Sequence, residues 1–401
     1  MITQRNLILL ITLLLSSLLL PFAVANIVFG ILLVLSVSYI LKNNLTPVFT
    51  VAHLVWILLY LLMVLSLLWS IDIKESINAL TDHVKILLIS LLFGFLPPLK
   101  DGEKHQILAV FSHTVLIFAI CILIRGLYRW LIHGSTSVLT NYQLVDFWGL
   151  NRVGVSIFMA LAIFYFLLYS KHNIYVLLKM IVLGFTIILL SSKNIVVSTI
   201  VIASVLIGLK LNTRKQKLLL MIAVIPVALS IIWLSNTFNS SFISGMKPRF
   251  NEIVHSNHFG QNYYLNGAEL RLLYTRFTYE NITEDHTLFT GYGVGASQEK
   301  INTKIEAYDL YNGYKDYHTH NQFIEILSDL GLFGLLLLIV ALGYAFYQYI
   351  IIKNYFALAF ISIFIAYMMT DTPLYTQRNI YLFLVLYFIF LPNNKLNKTN
   401  T

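Results

Sequence analysis

Residues 317–322 (YHTHNQ) contain the side chains best suited to proton transfer. An unperturbed histidine has a pKa of about 6.5, so its imidazole can accept a proton near neutral pH. An amphipathic helical pattern follows, which places His320 at a helix N-terminus, where the helix dipole disfavours the protonated ring. His318 and His320 are two positions apart and would face different sides of a helix, so a shared metal site is not expected. The alternative is a pair of interfacial histidines without a catalytic role.

Several cationic side chains are candidates for binding an anionic group, because arginine presents a planar fork of donors that matches phosphate oxygens. Arg271 and Arg276 lie on one predicted helix but point to different sides of it. Arg152, Lys193 and Arg378 stand at the ends of apolar runs, where a charge is costly unless it faces a polar cavity. The alternatives are ion pairs with nearby glutamates for the first two residues and contact with lipid headgroups for the other three.

The composition indicates what kind of fold must position these residues. Of 401 residues, 58% are hydrophobic and only 11% are charged, whereas soluble domains average about 25% charged residues. These values exclude an ordinary soluble enzyme, a disordered chain and a disulfide scaffold, and Cys121 is the single cysteine. The net charge of +9 is scattered between apolar runs, so we interpret it as a topology signal and expect no nucleic-acid partner.

Twelve apolar runs are predicted to cross a membrane, since about 20 apolar residues in a helix span its hydrocarbon core. The runs are 6–20, 23–41, 49–69, 84–97, 106–128, 152–169, 174–190, 194–210, 217–235, 331–352, 354–370 and 379–392. We do not expect the first run to be a cleaved signal peptide, because no small-residue cleavage pattern precedes the second. Lysine and arginine are concentrated in the loops on the side of the N-terminus, which predicts two cytoplasmic termini.

A long polar segment, residues 236–320, interrupts this pattern on the outer side of the membrane. We divide the chain into a bundle of about nine spans (1–235), a loop region with amphipathic helices (236–330), and C-terminal spans with a short cytoplasmic tail (331–401). The glycine-rich stretch 290–295 (TGYGVG) lacks the Lys-Ser/Thr of a phosphate-binding P-loop, so it predicts a tight turn. Because no HExxH, GxSxG or DxD pattern occurs in the outer segments, we expect neither a metal nor another cofactor.

Several motifs follow one another in the C-terminal half of the chain. They are RLLY at 271–274, LFTGYGVG at 288–295, HNQFIE at 320–325, LGLFG at 330–334 and TDTPLYTQR at 370–378. In this order the motifs resemble the O-antigen ligase/polymerase superfamily, which comprises the WaaL-like O-antigen ligases and the Wzy_C-type membrane proteins of bacterial envelopes.

The resemblance implies an all-α, multi-pass integral membrane helix bundle of about 12 transmembrane helices. Such a GT-C-like glycosyltransferase has one long periplasmic loop, lies in the bacterial inner membrane and has its active site facing the periplasm. It would transfer a glycan from undecaprenyl pyrophosphate, with inversion and without a metal. The acceptor is a hydroxyl of lipid A-core in ligases and another lipid-linked repeat in polymerases. Membrane lipids are the remaining partners.

The resemblance also implies roles for individual residues. His320 corresponds to the general base, and Arg271 corresponds to a ligand of the pyrophosphate. The resemblance makes Arg152 a second ligand of the same anion, whereas Lys193 and Arg378 are assigned to it from their positions at the outer ends of apolar runs. Lys193 stands where relatives often have arginine, so it keeps the charge but loses the bidentate geometry. His318, Arg276 and Asn321 are assigned as accessory residues.

Two other functions are compatible with a multi-pass chain. A polymerase of envelope polysaccharides would share the fold and the donor with the ligase, and only the acceptor separates the two. A transporter or lipid flippase would have ionisable residues in the middle of several spans and paired halves. The predicted spans are almost free of charge, with Lys179 as the main exception, so we favour an enzyme of the ligase type.

Overall fold

The computed structural model describes residues 3–171, 173–210 and 246–392. Within these ranges the regular secondary structure comprises fourteen α-helices, short 3₁₀ turns and no strand. This all-helical architecture and the apolar composition agree with a membrane helix bundle.

The helices of the apolar bundle and of the polar segment are numbered together in chain order. They are α1 (Gln4–Ser17), α2 (Phe22–Lys42), α3 (Val51–Leu65), α4 (Ile73–Phe95), α5 (Asp101–His133), α6 (Arg152–Tyr169), α7 (Ile174–Leu189), α8 (Lys193–Lys210), α9 (Met246–His255), α10 (Gly267–Glu284), α11 (Ser297–Ala307), α12 (Gln322–Ile351), α13 (Tyr355–Met368) and α14 (Gln377–Phe390).

Six of the described helices are long and apolar enough to cross a membrane: α2, α3 with its continuation to Leu68, α4, α5, α6 and α12. Helices α1, α7, α8, α13 and α14 are apolar but shorter. The predicted span at 217–235 lies outside the described residues, as does the start of the polar segment at 236–245. The count of twelve spans, the GT-C-like architecture and the three-part division of the chain therefore stay predictions.

Helix α4 begins eleven residues before the apolar run that predicted it, at Ile73 instead of residue 84. Asp72 caps its N-terminus, because the Asp72 Oδ1 atom accepts a hydrogen bond from the Glu75 backbone N–H at 3.0 Å. The first turns contain Lys74 and Glu75, whose charges hide the helix from a search for apolar runs. The cap and the polar first turns extend α4 out to the polar segment.

Helix α12 joins two predicted elements, the amphipathic helix 320–330 and the span 331–352, into one kinked helix. The kink is at Gly331, which has a φ of 65° in the left-handed region. A Cβ atom at this position would lie 2.2 Å from the carbonyl oxygen of Phe289, so only glycine fits the bend. The kink turns the first part of α12 away from the span that follows it.

The polar segment has a small core of its own, formed by α9, α10, α11 and the loop that follows. Its buried residues are Ile253, Leu273, Tyr274, Phe277, Ile301, Ile305 and Leu310. The segment packs on the end of the bundle at which α6, α12 and α14 begin, and we call this the loop end. Arg271 contacts the turn after α13 there, and the Leu332 N–H donates to the Leu288 carbonyl at 2.8 Å.

Candidate active site

Two arginines and a histidine meet around one carboxylate at the loop end. The His320 Nδ1 atom lies 3.5 Å from the Asp371 Oδ1 atom, and the imidazole is 30% exposed. Arg152 and Arg271 both interact electrostatically with Asp371 and with each other. Lys193 interacts electrostatically with Arg152 and adds a further positive charge. We call these five residues the cationic cluster.

His320 enters the cluster from the turn before α12, with a φ of 53° in the left-handed region. Such a conformation costs about 1–3 kcal/mol in a residue other than glycine and persists where the surroundings enforce it. Asn321 begins the helix one residue later, since its Oδ1 atom accepts from the Phe323 and Ile324 N–H groups at 3.0 and 3.3 Å. His320 therefore lies just before the helix, and its left-handed backbone conformation determines where its imidazole points.

Asp371 lies in the turn between α13 and α14 and is held by the backbone around it. Its Oδ1 atom accepts from the Thr372 N–H at 2.9 Å, and its carbonyl accepts from the Gln322 N–H at 3.1 Å. The Asn194 amide donates to Ala366 O at 2.6 Å and to Thr370 Oγ1 at 2.8 Å, which ties the start of α8 to the same turn. The start of α12, the start of α8 and this turn are therefore positioned together.

Arg271 projects from α10, whose start is fixed by a capping box between Asn266 and Glu269. Its Nε atom donates to Thr370 O at 3.0 Å, and one terminal nitrogen donates to Gly267 O at 2.9 Å. The other terminal nitrogen forms no hydrogen bond to the described part of the chain. Burial lowers the pKa of the Arg271 guanidinium, Asp371 raises it and Arg152 lowers it, with a net downward shift.

Arg152 is the first residue of α6, after the cap formed by Asn151. Its guanidinium donates to Asn141 Oδ1. The three cations of the cluster thus come from the starts of α6 and α8 and from α10. Arg152 and Arg271 share the carboxylate of Asp371, whose one negative charge does not balance both guanidinium groups. An excess of positive charge next to an apolar bundle is unfavourable without a partner, so the arrangement is suited to binding an anion.

His318 has different partners from His320. Its Nδ1 atom lies 2.8 Å from the Glu325 Oε1 atom, and the Thr319 N–H and hydroxyl donate to the other carboxylate oxygen at 2.9 and 2.7 Å. Burial alone lowers the pKa of His318, but the bond to Glu325 and nearby carboxylates raise it, so that the net shift is upward. His318 is therefore paired through one ring nitrogen, and Glu325 anchors the segment that leads into His320.

The glycine-rich stretch 290–295 forms the predicted tight turn and packs against α12 at the kink. The Gly293 N–H donates to Asp329 O at 2.9 Å, and the Gly295 N–H donates to Asp329 Oδ2 at 2.8 Å. The Tyr375 hydroxyl donates to the same carboxylate. The Gly293 amide thus binds a backbone carbonyl and the Gly295 amide binds a protein carboxylate, so the stretch positions α12 and the turn after α13 instead of cradling a phosphate.

Two arginines assigned from the sequence have partners outside the cluster. Arg378 donates to the carbonyl oxygens of Leu20, Trp148 and Gly149 at 2.7–2.9 Å, so it fixes the loop before α6. Arg276 bonds Glu280 at 2.6 Å and two backbone carbonyls at the end of α9 and just beyond it, so it holds the core of the polar segment. Neither residue is brought to His320 by these contacts.

Sequence reasoning assigned no role to Asp371, Asn194, Glu325 or Asp329. The signal for Asp371 was its place in a short turn between two apolar runs, the same argument that drew attention to Arg152. Glu325 and Asp329 are four residues apart, so they share one side of a helix. No group of three or more His, Cys, Asp or Glu side chains that could hold a metal occurs in residues 3–171, 173–210 and 246–392.

Residues 178–339 match the family model Wzy_C, whose description is O-antigen ligase. The match includes Lys193, Arg271 and His320, and it confirms the resemblance to the O-antigen ligase/polymerase superfamily that the motifs indicated. It supports a multi-pass membrane enzyme of the glycosyltransferase-like kind that acts with lipid-linked glycans. Arg152 and Asp371 lie outside the matched residues, which are less than half of the chain. No curated protein matches the chain.

Proposed function

We propose that the protein is an O-antigen ligase-type inverting glycosyltransferase of the bacterial inner membrane, with the cationic cluster facing the periplasm and both termini in the cytoplasm. It transfers a glycan from undecaprenyl pyrophosphate to a hydroxyl of lipid A-core. The observation that supports this proposal most directly is the excess of cations around Asp371, next to a partly exposed imidazole.

The imidazole of His320 acts as the general base. Its Nδ1 atom faces Asp371, so its Nε2 atom takes the proton from the acceptor hydroxyl. The hydroxyl oxygen then forms a bond to the anomeric carbon of the donor sugar. The bond between that carbon and the pyrophosphate oxygen breaks on the opposite side, and undecaprenyl pyrophosphate leaves with the electron pair. A general base contributes about 10²–10⁴-fold, because a sugar hydroxyl is a poor nucleophile.

Arg271, Arg152 and Lys193 hold the pyrophosphate and offset the negative charge that develops as it leaves. Preorganised cations at such a position are worth the most in the transition state, because they need no rearrangement while the charge forms. These three side chains supply the positive charge that a divalent metal supplies in other glycosyl transfers, so we propose a reaction without a metal. Asp371 is a positioning residue that orients the His320 ring.

The test of the general base is glycan transfer by the purified full-length protein reconstituted with an undecaprenyl-pyrophosphate glycan. We expect the His320→Ala variant to lose about 10²–10⁴-fold in rate while its expression and insertion are unchanged. His258→Ala is the matched control, since His258 is 73% exposed and contacts Asp309 in the polar segment. Normal transfer by a well-folded His320→Ala variant would remove the proposed role of His320.

The acceptor separates a ligase from a polymerase, because the donor and the catalytic groups are shared. The same reconstitution with lipid A-core and a lipid-linked repeat in competition therefore tests this part of the proposal. We expect glycan on lipid A-core. Products that contain only lengthened lipid-linked glycan would assign the chain to polymerization instead.

A further inference from the structure

A cavity lies at the end of the bundle opposite the loop end. It has a volume of about 970 Å³ and opens where α4, α6, α12 and α14 end and where α3, α5 and α13 begin. Its walls are largely apolar and include Leu96, Leu168, Phe356 and Phe388. Phe356 is only 1% exposed, so the cavity reaches into the packed core of the bundle. The proposed glycan transfer at the loop end does not use it.

The mouth of this cavity is cationic. Lys100 and Lys104 border it from the start of α5, and Lys353 borders it from the turn between α12 and α13. Among the nearby acids, Asp101 pairs with Lys104 at 3.1 Å, and Glu103 accepts from the Lys100 backbone N–H at 2.7 Å. The ammonium groups of Lys100 and Lys353 form no ion pair with any residue that the structure describes.

Helix dipoles add no net positive charge at this end of the bundle, because α3, α5 and α13 begin there while α4, α6, α12 and α14 end there. The positive charge at the mouth is therefore that of the lysines. An occupant must therefore combine an apolar part, which fills the walls, with an anionic part at the mouth. Basic pockets between helices at the surface of a bundle are suited to anionic lipid headgroups.

We infer that this cavity binds one anionic phospholipid, with an acyl chain against Leu168 and Phe356 and with the phosphate between Lys100 and Lys353. A zwitterionic lipid would not balance the two lysines, and free phosphate would leave the apolar walls empty. This site is separate from the cationic cluster, and it holds a lipid of the membrane instead of the glycan donor.

The inference is tested on the purified full-length protein in an uncharged detergent. Phosphatidylglycerol, phosphatidylcholine and inorganic phosphate are titrated separately, and native mass spectrometry counts the bound molecules. We expect one phosphatidylglycerol to bind at least about tenfold more tightly than phosphatidylcholine. The double substitution Lys100→Gln and Lys353→Gln should weaken this binding about 30-fold, since each lysine near a membrane surface contributes about fivefold.

Two further variants guard this test against indirect effects. Lys42→Gln with Lys171→Gln removes two exposed lysines from the same end of the bundle without touching the cavity, and it should leave the binding unchanged. Gly102→Trp places a large side chain at the cavity from a position where a Cβ meets nothing within 4 Å, and it should block the lipid.

Three results would overturn the inference. They are equal binding of the two phospholipids, equal losses in the two lysine double variants, and saturable binding of inorganic phosphate that displaces phosphatidylglycerol. Glycan transfer is measured separately, so a failure here leaves the proposed reaction untouched.

Discussion

Arg271 and Arg276 lie on the same helix, α10, five residues apart, and the structure gives them opposite surroundings. Arg276 is balanced: its Nε atom lies 2.6 Å from Glu280, and Lys304 pairs with both Glu280 and Glu284. Arg271 bonds two backbone carbonyls and shares one carboxylate with Arg152. One side of the helix therefore holds a neutral ion-pair network, and the other side has cations in excess.

The pKa of the Glu280 carboxyl, on the side of α10 that holds the ion-pair network, reflects its cationic neighbours. Burial raises the pKa of Glu280, but the hydrogen bonds from Tyr308 and Arg276 lower it, and the net shift is downward. An arginine surrounded by acidic side chains, such as Arg276, therefore has a structural role. An arginine without enough acidic neighbours, such as Arg271, is available to bind an anion. Residue type alone does not separate the two roles; the neighbours in space do.

Among the changes that test the difference between the two sides of α10, the largest effect is expected from the shape of the Arg271 side chain. Arg271→Lys keeps the charge but cannot present two parallel donors, so we expect it to lose about 10²–10³-fold in transfer rate, nearly as much as Arg271→Ala. Arg276→Lys is the matched control and should keep its rate per folded molecule while lowering the melting temperature. A fully active Arg271→Lys variant would contradict the difference between the two sides of α10.

A smaller effect is expected for Asp371→Asn. The change removes the charge that orients His320, and we expect kcat to fall about 100-fold, less than the ~10⁴-fold seen where a carboxylate fixes a catalytic histidine more tightly. It also removes the negative charge that Arg152 and Arg271 share, so the KM for the donor should stay the same or decrease. Steady-state kinetics with varied donor concentration measure both values. An increase in KM with an unchanged kcat would show that Asp371 does not act on His320.

The smallest effect concerns stability and its pH dependence. The raised pKa of His318 contributes stability that is fully present below its unfolded value of about 6.5 and is lost as pH rises through the folded value. Glu325→Gln should cost about 1–3 kcal/mol by disrupting buried bonds to His318 and Thr319. It should also flatten the fall in melting temperature above pH 6.5. If the melting temperatures of the unsubstituted protein and of the Glu325→Gln variant change with pH in the same way, the His318–Glu325 ion pair is not the source of the pH dependence.

Most of the helical framework was predictable, because apolar runs of sufficient length have few alternatives in a membrane. The prediction was incomplete where polar residues lie inside a helix. The charged first turns of α4 concealed eleven residues of it. The amphipathic helix 320–330 was expected to run into the following span at Gly331, and the structure has the two joined there by a kink. A local pattern records hydrophobicity, whereas a helix continues wherever its backbone hydrogen bonds continue.

The sequence indicated which cationic residues could form the candidate site, but it did not indicate which residues they contact. His320 stood out by its type and its place before an amphipathic helix, and Arg152 and Lys193 stood out as charges at the ends of apolar runs. Asp371 had the same signal but was not selected. Arg378 had it as well, yet its donors bind the carbonyls of the loop before α6. Sequence position cannot show whether a charge at the end of a span faces a cavity or a backbone turn.

The sequence by itself determined the membrane class, the polar segment near the C-terminus and the residue types able to bind an anion and accept a proton. Only the tertiary structure decided which of them meet. Arg152, Arg271 and Asp371 are separated by about a hundred residues or more along the chain, and they come together because α6, α10 and the turn after α13 converge at the loop end. The interaction of charges depends on their distance in space, which a linear order of residues does not contain.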